Sequence, residues 1–293
     1  MKNFILLFVG FFIIMSAQAQ DSKKIAGNLK DYAKEDTTKG WKHFGISSLA
    51  FGQTSLTNWV AGGNNTVSGD FVFNASMNYL NDKVFWDNNL SLEYGLVYSS
   101  VTDWMKAADK LNLTSISGRK ISKSWSVSAL MNFYTQFTNG YNYPDKAHYI
   151  STLMAPGYLD VALGFSYKPN KKYSVFLSPI SERAIFVLND SLSNSGAFGV
   201  VPGKKTKFET GAYLLANTSQ TLFTNLNLIS TVDLFTPYTK DFGNINVNWN
   251  LLLSYKINKL LTTNLNTTLR YYEKEIQKVQ FKEILGLGLT YTF

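Results

Sequence analysis

Ile245-Asn246-Val247-Asn248-Trp249-Asn250-Leu251-Leu252-Leu253-Ser254-Tyr255-Lys256 is the stretch that decides the fold. Apolar side chains take every odd position, and all the even positions except Leu252 are polar. Side chains change face at each strand residue, so this run builds one apolar wall and one polar wall. Its twelve residues exceed the ~5–6 of an ordinary soluble strand. They satisfy the ~9–11 that a tilted strand needs to cross a bilayer.

The same period spreads outward. Leu261, Leu265, Leu269 and Tyr271 alternate with Thr262, Asn264, Asn266, Thr268 and Arg270. Leu285, Leu287, Leu289, Tyr291 and Phe293 oppose Gly286, Gly288, Thr290 and Thr292. Upstream, Trp125, Val127, Ala129, Met131 and Phe133 alternate with serines and Asn132, and Leu90 to Tyr98 alternates with Asn89, Ser91, Glu93 and Gly95. About twelve strands follow, at 42–55, 67–80, 84–99, 109–120, 124–138, 157–168, 173–187, 206–216, 221–235, 244–257, 260–272 and 281–293. Short turns at 81–83, 121–123, 170–172, 217–220 and 258–259 alternate with longer loops at 56–66, 100–108, 139–156, 188–205, 236–243 and 273–280. An even strand count with short periplasmic turns and long outer loops predicts an all-β, transmembrane antiparallel up-and-down β-barrel. A phase slip at Ser47-Ser48 predicts a bulge in the first strand.

The chain starts Met1-Lys2-Asn3, continues in an apolar run from Phe4 to Met15, and reaches Ser16-Ala17-Gln18-Ala19. This is the pattern of a signal peptide cleaved after Ala19, too short for the ~20 residues of a membrane helix. The expected layout is a signal peptide at 1–19, a polar periplasmic lead-in at 20–40, and an outer-membrane barrel of a Gram-negative bacterium at 41–293. The terminal Tyr291 and Phe293 resemble the sorting signal of such barrels, read by the barrel assembly machinery. The net charge of +8 comes from lysines scattered through turns and loop ends. Without a basic helix or a recognisable module, nucleic acid is not an expected partner. No cysteine occurs and the two histidines, His43 and His148, stand far apart, so neither a metal site nor a cofactor is expected. The loop Asn189 to Gly196 has oxygen ligands but lacks calcium-loop spacing and its closing glutamate.

Gln53, Leu56, Asn58-Trp59 and Gly62-Gly63 form a motif, followed by Tyr79-Leu80, Trp86-Asp87-Asn88 and Tyr94-Gly95. These residues resemble the Bacteroidota outer-membrane family known as domain of unknown function 3078. The resemblance implies a membrane barrel and brings no activity or catalytic residues with it.

Candidate sites are few. Strand phase places Glu93, Asp160, Asp233, Lys256 and Arg270 on the inner wall, either as an internal ion-pair network or as the charges of a pore. Gln53, Asn58, Trp59, Gly62 and Gly63 sit where the first strand reaches the outer rim, as a Trp-anchored turn, a lid or a binding loop. Lys204, Lys205 and Lys207 crowd an outer loop end, where lipopolysaccharide phosphates would meet them. His148 with Ser151 or Asp145 could be drawn into a hydrolase, which needs a nucleophile bonded to a base. The expected function is a non-enzymatic pore, transporter or receptor for small solutes or lipidic molecules. The alternatives are a membrane-embedded hydrolase of lipid or lipopolysaccharide, or a structural component.

The alternation running to the last residue generates a prediction. Tyr291→Asp with Phe293→Asp blocks assembly, and the heat-modifiable gel mobility of a folded barrel is lost. Unchanged mobility and surface exposure would refute the sorting role.

Overall fold

The computed structural model describes residues 39–57, 64–170, 172–238, 242–258 and 260–292. The expected signal peptide, nearly all of the lead-in and Phe293 lie outside the described residues. Within them, twelve strands close into one antiparallel barrel. These are β1 (Gly40–Thr54), β2 (Thr66–Asn81), β3 (Val84–Ser99), β4 (Asp103–Lys120), β5 (Trp125–Thr135), β8 (Gly157–Tyr167), β9 (Tyr173–Phe186), β10 (Thr206–Phe223), β11 (Leu226–Pro237), β12 (Asn246–Lys256), β13 (Leu261–Tyr271) and β14 (Gln280–Thr292). The two other strands, β6 (Gly140–Tyr141) and β7 (Tyr149–Ser151), make a separate ribbon in the β5–β8 connection. Each barrel strand pairs with its chain neighbours, and β14 closes on β1.

The two walls expected from alternation are both present. Phe71, Val127, Leu163, Leu177, Leu285 and Leu287 are exposed on the outside. An exposed apolar outer face of this kind is what a membrane barrel requires. Aromatic rings collect at its margins, as amphipathic rings do at membrane interfaces. At the turn end Trp41 lies 5.2 Å from Tyr79 and 5.6 Å from Trp86, and Trp125 lies 4.8 Å from Tyr167. At the loop end Trp104 packs 5.4 Å from Tyr98.

Three local expectations are corrected. β1 pairs with β2 without a register break from Gly40 to Thr54, so no bulge interrupts Ser47-Ser48. The phase slip has another cause: Phe44 and Ile46 face the lumen beside Ser48 and Ala50, so the inner wall of this strand is partly apolar. The loop expected at 100–108 shrinks to 100–102, because Leu96 to Ser99 pairs with Lys106 back to Asp103. A bulge at Ala107, between the pairs Gly95↔Ala108 and Leu96↔Lys106, hides that alternation. The turn expected at 217–220 is continuous strand, and β10 turns only after Phe223. Asn217 and Ser219 line the lumen, so polarity there marks the wet wall and not a turn.

A second bulge decides the interior. Gly211 of β10 pairs with Ser181, while Tyr213 pairs with Ser178, so Pro179 and Ile180 stand opposite Ala212 alone and β9 carries one extra residue. Before it Phe176 and Ser178 are buried; after it Ser181, Arg183 and Ile185 are buried, while Ile180 is exposed. The phase has moved by one, as a bulge requires. Proline belongs here because no ladder N–H is needed of it. Ser178 Oγ secures the kink by donating to Leu163 O at 2.7 Å and accepting from Ile180 N at 3.2 Å. Gly164 opposite is obligatory, since a Cβ there would stand 2.1 Å from the Leu177 carbonyl oxygen.

Gly164→Val should therefore cost about 1–3 kcal/mol or more, as overpacking does. Gly69→Ala, whose Cβ would meet only the Phe51 ring at 3.9 Å, should stay within ~0.5 kcal/mol. Urea unfolding of the refolded barrel measures both, and equal stability of the two variants would show that the bulge does not need the glycine.

Candidate functional site

Inside the barrel lies a cavity of about 2170 Å³. Among apolar residues such as Ile116, Leu215 and Leu252, asparagine, serine and threonine make up about half of its lining residues. Neighbouring strands join these side chains in rungs. Asn112 Nδ2 donates to Asn132 Oδ1 at 2.9 Å, Thr231 Oγ1 to Asn217 Oδ1 at 2.8 Å, and Thr268 Oγ1 to Asn250 Oδ1 at 3.1 Å. At the turn end the lining reaches Asn170, Lys172, Gln220 and Asn258. At the other end it stops at Ala50, Asp70, Glu93, Lys110, Asp233 and Ile284. No described residue of the loops at that end lines it.

Buried charge closes the space above. Arg183 Nε and Nη2 donate to Asp160 at 2.6 and 3.1 Å, with both side chains at most 2% exposed. The Arg183 guanidinium sits 4.2 Å from the Phe235 ring centre and 5.4 Å from that of Tyr272. Arg270 lies 4.0 Å from the Tyr272 ring and is paired with Glu275, which also accepts from Tyr158 Oη at 2.7 Å. Two fork-shaped cations thus share one aromatic stack, the arrangement guanidinium favours. On the opposite wall Lys282 Nζ donates to Glu93 Oε1 at 2.9 Å, and Lys110 Nζ lies 3.9 Å from Oε2. Since β1 and β2 stand between β14 and β3, this bond spans two intervening strands.

The β9–β10 loop folds onto the same stack. Its one-turn helix Asp190–Asn194 is capped by Asn189, whose Oδ1 accepts from Leu192 N at 3.1 Å. Val187, Leu192 and Val200 are buried against Tyr158, Ile185 and Tyr272. Below, Leu130, Ala162, Phe176, Tyr213, Leu215 and Phe235 fill one side of the barrel with apolar packing. Twelve strands fall between the filled eight-stranded barrel and the open sixteen-stranded one, and here part of the interior is packed and part is cavity. Buried donors in this region without a hydrogen-bond partner among the described residues include Tyr213 Oη, Arg183 Nη1 and Arg270 Nε. Such a group costs about 1–3 kcal/mol.

The residues singled out by sequence are placed as follows. Glu93, Asp233 and Lys256 line the cavity, Lys256 near the turns and the others under the ceiling. Asp160 is buried with Arg183, and Arg270 belongs to the aromatic stack. Asp233 accepts from Asn248 Nδ2 at 2.7 Å. Gln53 is exposed near the loop end of β1, while Asn58, Trp59, Gly62 and Gly63 lie outside the described residues. Tyr291 is exposed on β14. The three lysines do not form one cluster: Lys205 pairs with Asp190 at 2.8 Å, and Lys207 turns inward to the buried Glu209, leaving Lys204 exposed. His148 Nδ1 is 2.9 Å from Asp145 Oδ2, and that hydrogen bond, with one from Ala147 N, holds the Asp145 carboxyl below its usual range. Ser151 Oγ donates instead to Gln136 Oε1 at 3.1 Å, so no nucleophile is joined to His148. Sequence reasoning missed Arg183, Lys282 and Glu275. Straight alternation from Phe176 turns Arg183 outward, and only the bulge reveals it; Glu275 lies in a loop, where phase gives no direction.

A family model described as a protein of unknown function (DUF3078) matches residues 51–141. That span includes the motif from Gln53 to Gly63. No curated protein matches the chain. Among solved structures, it is similar to an outer membrane channel from Pseudomonas putida F1, with 16% identity and a TM-score of 0.41 over 89% of this chain and 97% of that one. It is similar also to the translocator domain of the autotransporter NalP from Neisseria meningitidis (10% identity, TM-score 0.37, 94% of this chain and 96% of that one). A third is the NanC porin (8% identity, TM-score 0.37, 85% and 97%).

Breaking a buried pair strands the remaining charge, at about 3–5 kcal/mol, whereas replacing both partners by apolar groups is often neutral. Asp160→Leu alone should thus destabilise strongly, and Asp160→Leu with Arg183→Met should recover most of the loss. Urea unfolding followed by tryptophan fluorescence decides; additive losses would show that the two side chains are uncoupled.

Proposed function

We propose that the chain is a non-enzymatic outer-membrane barrel that receives small solutes in its lumen and controls their passage at the loop end. One observation carries this reading: the cavity reaches the turns but ends beneath a ceiling of buried Arg183, partly buried Arg270 and their partners. Short turns belong in the periplasm, so the cavity opens to the periplasm and the ceiling faces outward. In this orientation Lys204 and Lys205 stand at the outer rim, within reach of lipopolysaccharide phosphates. Lys207 does not join them, because Glu209 holds it inside. The hydrolase reading draws no support from Ser151, whose hydroxyl is engaged by Gln136.

The β9–β10 loop is the part of the ceiling that can be removed without touching a strand. Replacing 188–204 by a short Gly-Ser linker uncovers Tyr158, Ile185 and Tyr272. In planar bilayers the unaltered protein should remain mostly closed, and the shortened one should show steady ohmic conductance. A shortened barrel that folds, by gel mobility, yet does not conduct would overturn the proposal.

A further inference from the structure

We infer that the blind end of the lumen binds an uncharged, polyhydroxylated solute, a saccharide in chemical class, with Tyr213, Asp233 and Asn248 as its polar contacts. This rests on the reading that the lumen receives small solutes, and it names which kind.

The first argument is the chemistry of the wall. Asparagine is its commonest residue, and a carboxamide offers two donors and an acceptor oxygen with two lone pairs. A sugar hydroxyl likewise both donates and accepts. The rungs between strands use only part of that capacity. Asn250 Nδ2 donates to Asn248 Oδ1 at 3.3 Å while its own Oδ1 accepts from Thr268, and the rest of both amides is left for a solute. Serine and threonine hydroxyls fill the positions between.

The second argument is charge. A pore that selects ions carries rings of one sign, which focus a field along its axis. This lining carries both signs: acidic Asp70, Asp87, Glu93 and Asp233 share it with Lys110, Lys172 and Lys256. Glu93 is in addition neutralised by Lys282. A solute without charge gives up little here, whereas an ion finds no field to replace its hydration.

The third argument is a built contact. Tyr213 is 1% exposed, lines the cavity, and has a hydroxyl without a partner among the described residues. Asp233 sits one strand away, since Leu215 pairs with Asp233 and Tyr213 with Phe235. Its carboxylate accepts from Asn248 through one oxygen, and a carboxylate has about four lone-pair sites. Leu215 and Tyr134 add apolar surface at the same level, which suits the C–H face of a pyranose as ligand sites commonly do. The cavity of about 2170 Å³ exceeds the ~300–1,000 Å³ of a pocket for one small molecule, so several sugar units fit.

The test is calorimetric titration of the folded, full-length barrel in detergent. Maltotriose and cellotriose serve as uncharged probes; trigalacturonate and a glucosamine trimer serve as anionic and cationic ones of equal length. At least one uncharged trimer should bind saturably, and both charged trimers about ten-fold more weakly or worse, as for loss of a matched polar contact. Tyr213→Phe keeps the ring and removes the hydroxyl; it should weaken binding about five-fold. Asn248→Ser is a second variant should the first fail to fold. Equal binding of a charged trimer, no binding of either uncharged one, or unchanged affinity in the folded variants would overturn the inference. The conductance of the loop-shortened barrel reports solute admission separately. A conducting barrel that binds no trimer therefore refutes the saccharide assignment and leaves the channel reading standing.

Discussion

In hydrocarbon every backbone N–H and C=O must find its partner within the protein, because no water is there to take its place. A sheet meets that condition only by closing on itself, and the rest of this molecule follows from the closure. An even ring of antiparallel strands fixes which end carries turns and which carries loops. It also divides each strand into a lipid face and a lumen face. Outside, Leu285 and Leu287 are exposed; inside, Asn264 and Asn266 line the cavity.

Closure creates a second problem, which is what to do with the interior. Twelve strands enclose more than side chains can fill simply and less than a free aqueous channel. The chain meets this unevenly. One side is packed with Leu130, Phe176, Tyr213 and Phe235, and the other stays polar and open. Near the loop end the charges are paired, Arg183 with Asp160, Arg270 with Glu275 and Lys282 with Glu93. Unpaired, each would carry the penalty of a charge in a low-dielectric space. Pairing also offsets much of the charge near the ceiling, which connects its electrostatics to the kind of solute the lumen suits.

Most of this architecture was legible from the sequence, because one physical period governs it. Strand alternation survives every change of residue type that keeps polarity, so the boundaries of strands such as 84–99 agree with the structure to the residue. The failures share a cause. Period-two reading assumes an apolar outside and a polar inside, and it stumbles where the lumen is apolar or the register shifts. Phe44 and Ile46 face inward and mimicked a bulge in β1. The polar run Asn217 to Gln220 mimicked a turn. The real bulges at Ala107 and Pro179 shift the phase without announcing themselves in polarity; the one at Pro179 shows sterically, in Gly164 on the partner strand. The ceiling was half visible for this reason: Asp160 and Arg270 keep phase with their neighbours, while Arg183 lies beyond a shift.

The bond from Lys282 to Glu93 bears on how the barrel resists mechanical load. The β1–β14 seam joins the two ends of the described chain through six residue pairs, from Ile46↔Thr292 to Phe51↔Leu287, whereas the other seams have ten or more. It is also closely packed, for a Cβ at Gly288 would come within 2.6 Å of the Leu49 carbonyl oxygen. A cylinder under lateral bilayer pressure opens first along its shortest joint. Lys282 rises from β14 and grips β3, two strands past that joint, so any parting of the seam must also stretch an internal tie. The lumen charge thereby acts as a tie across the shortest seam, one that the seam's own ladder does not supply.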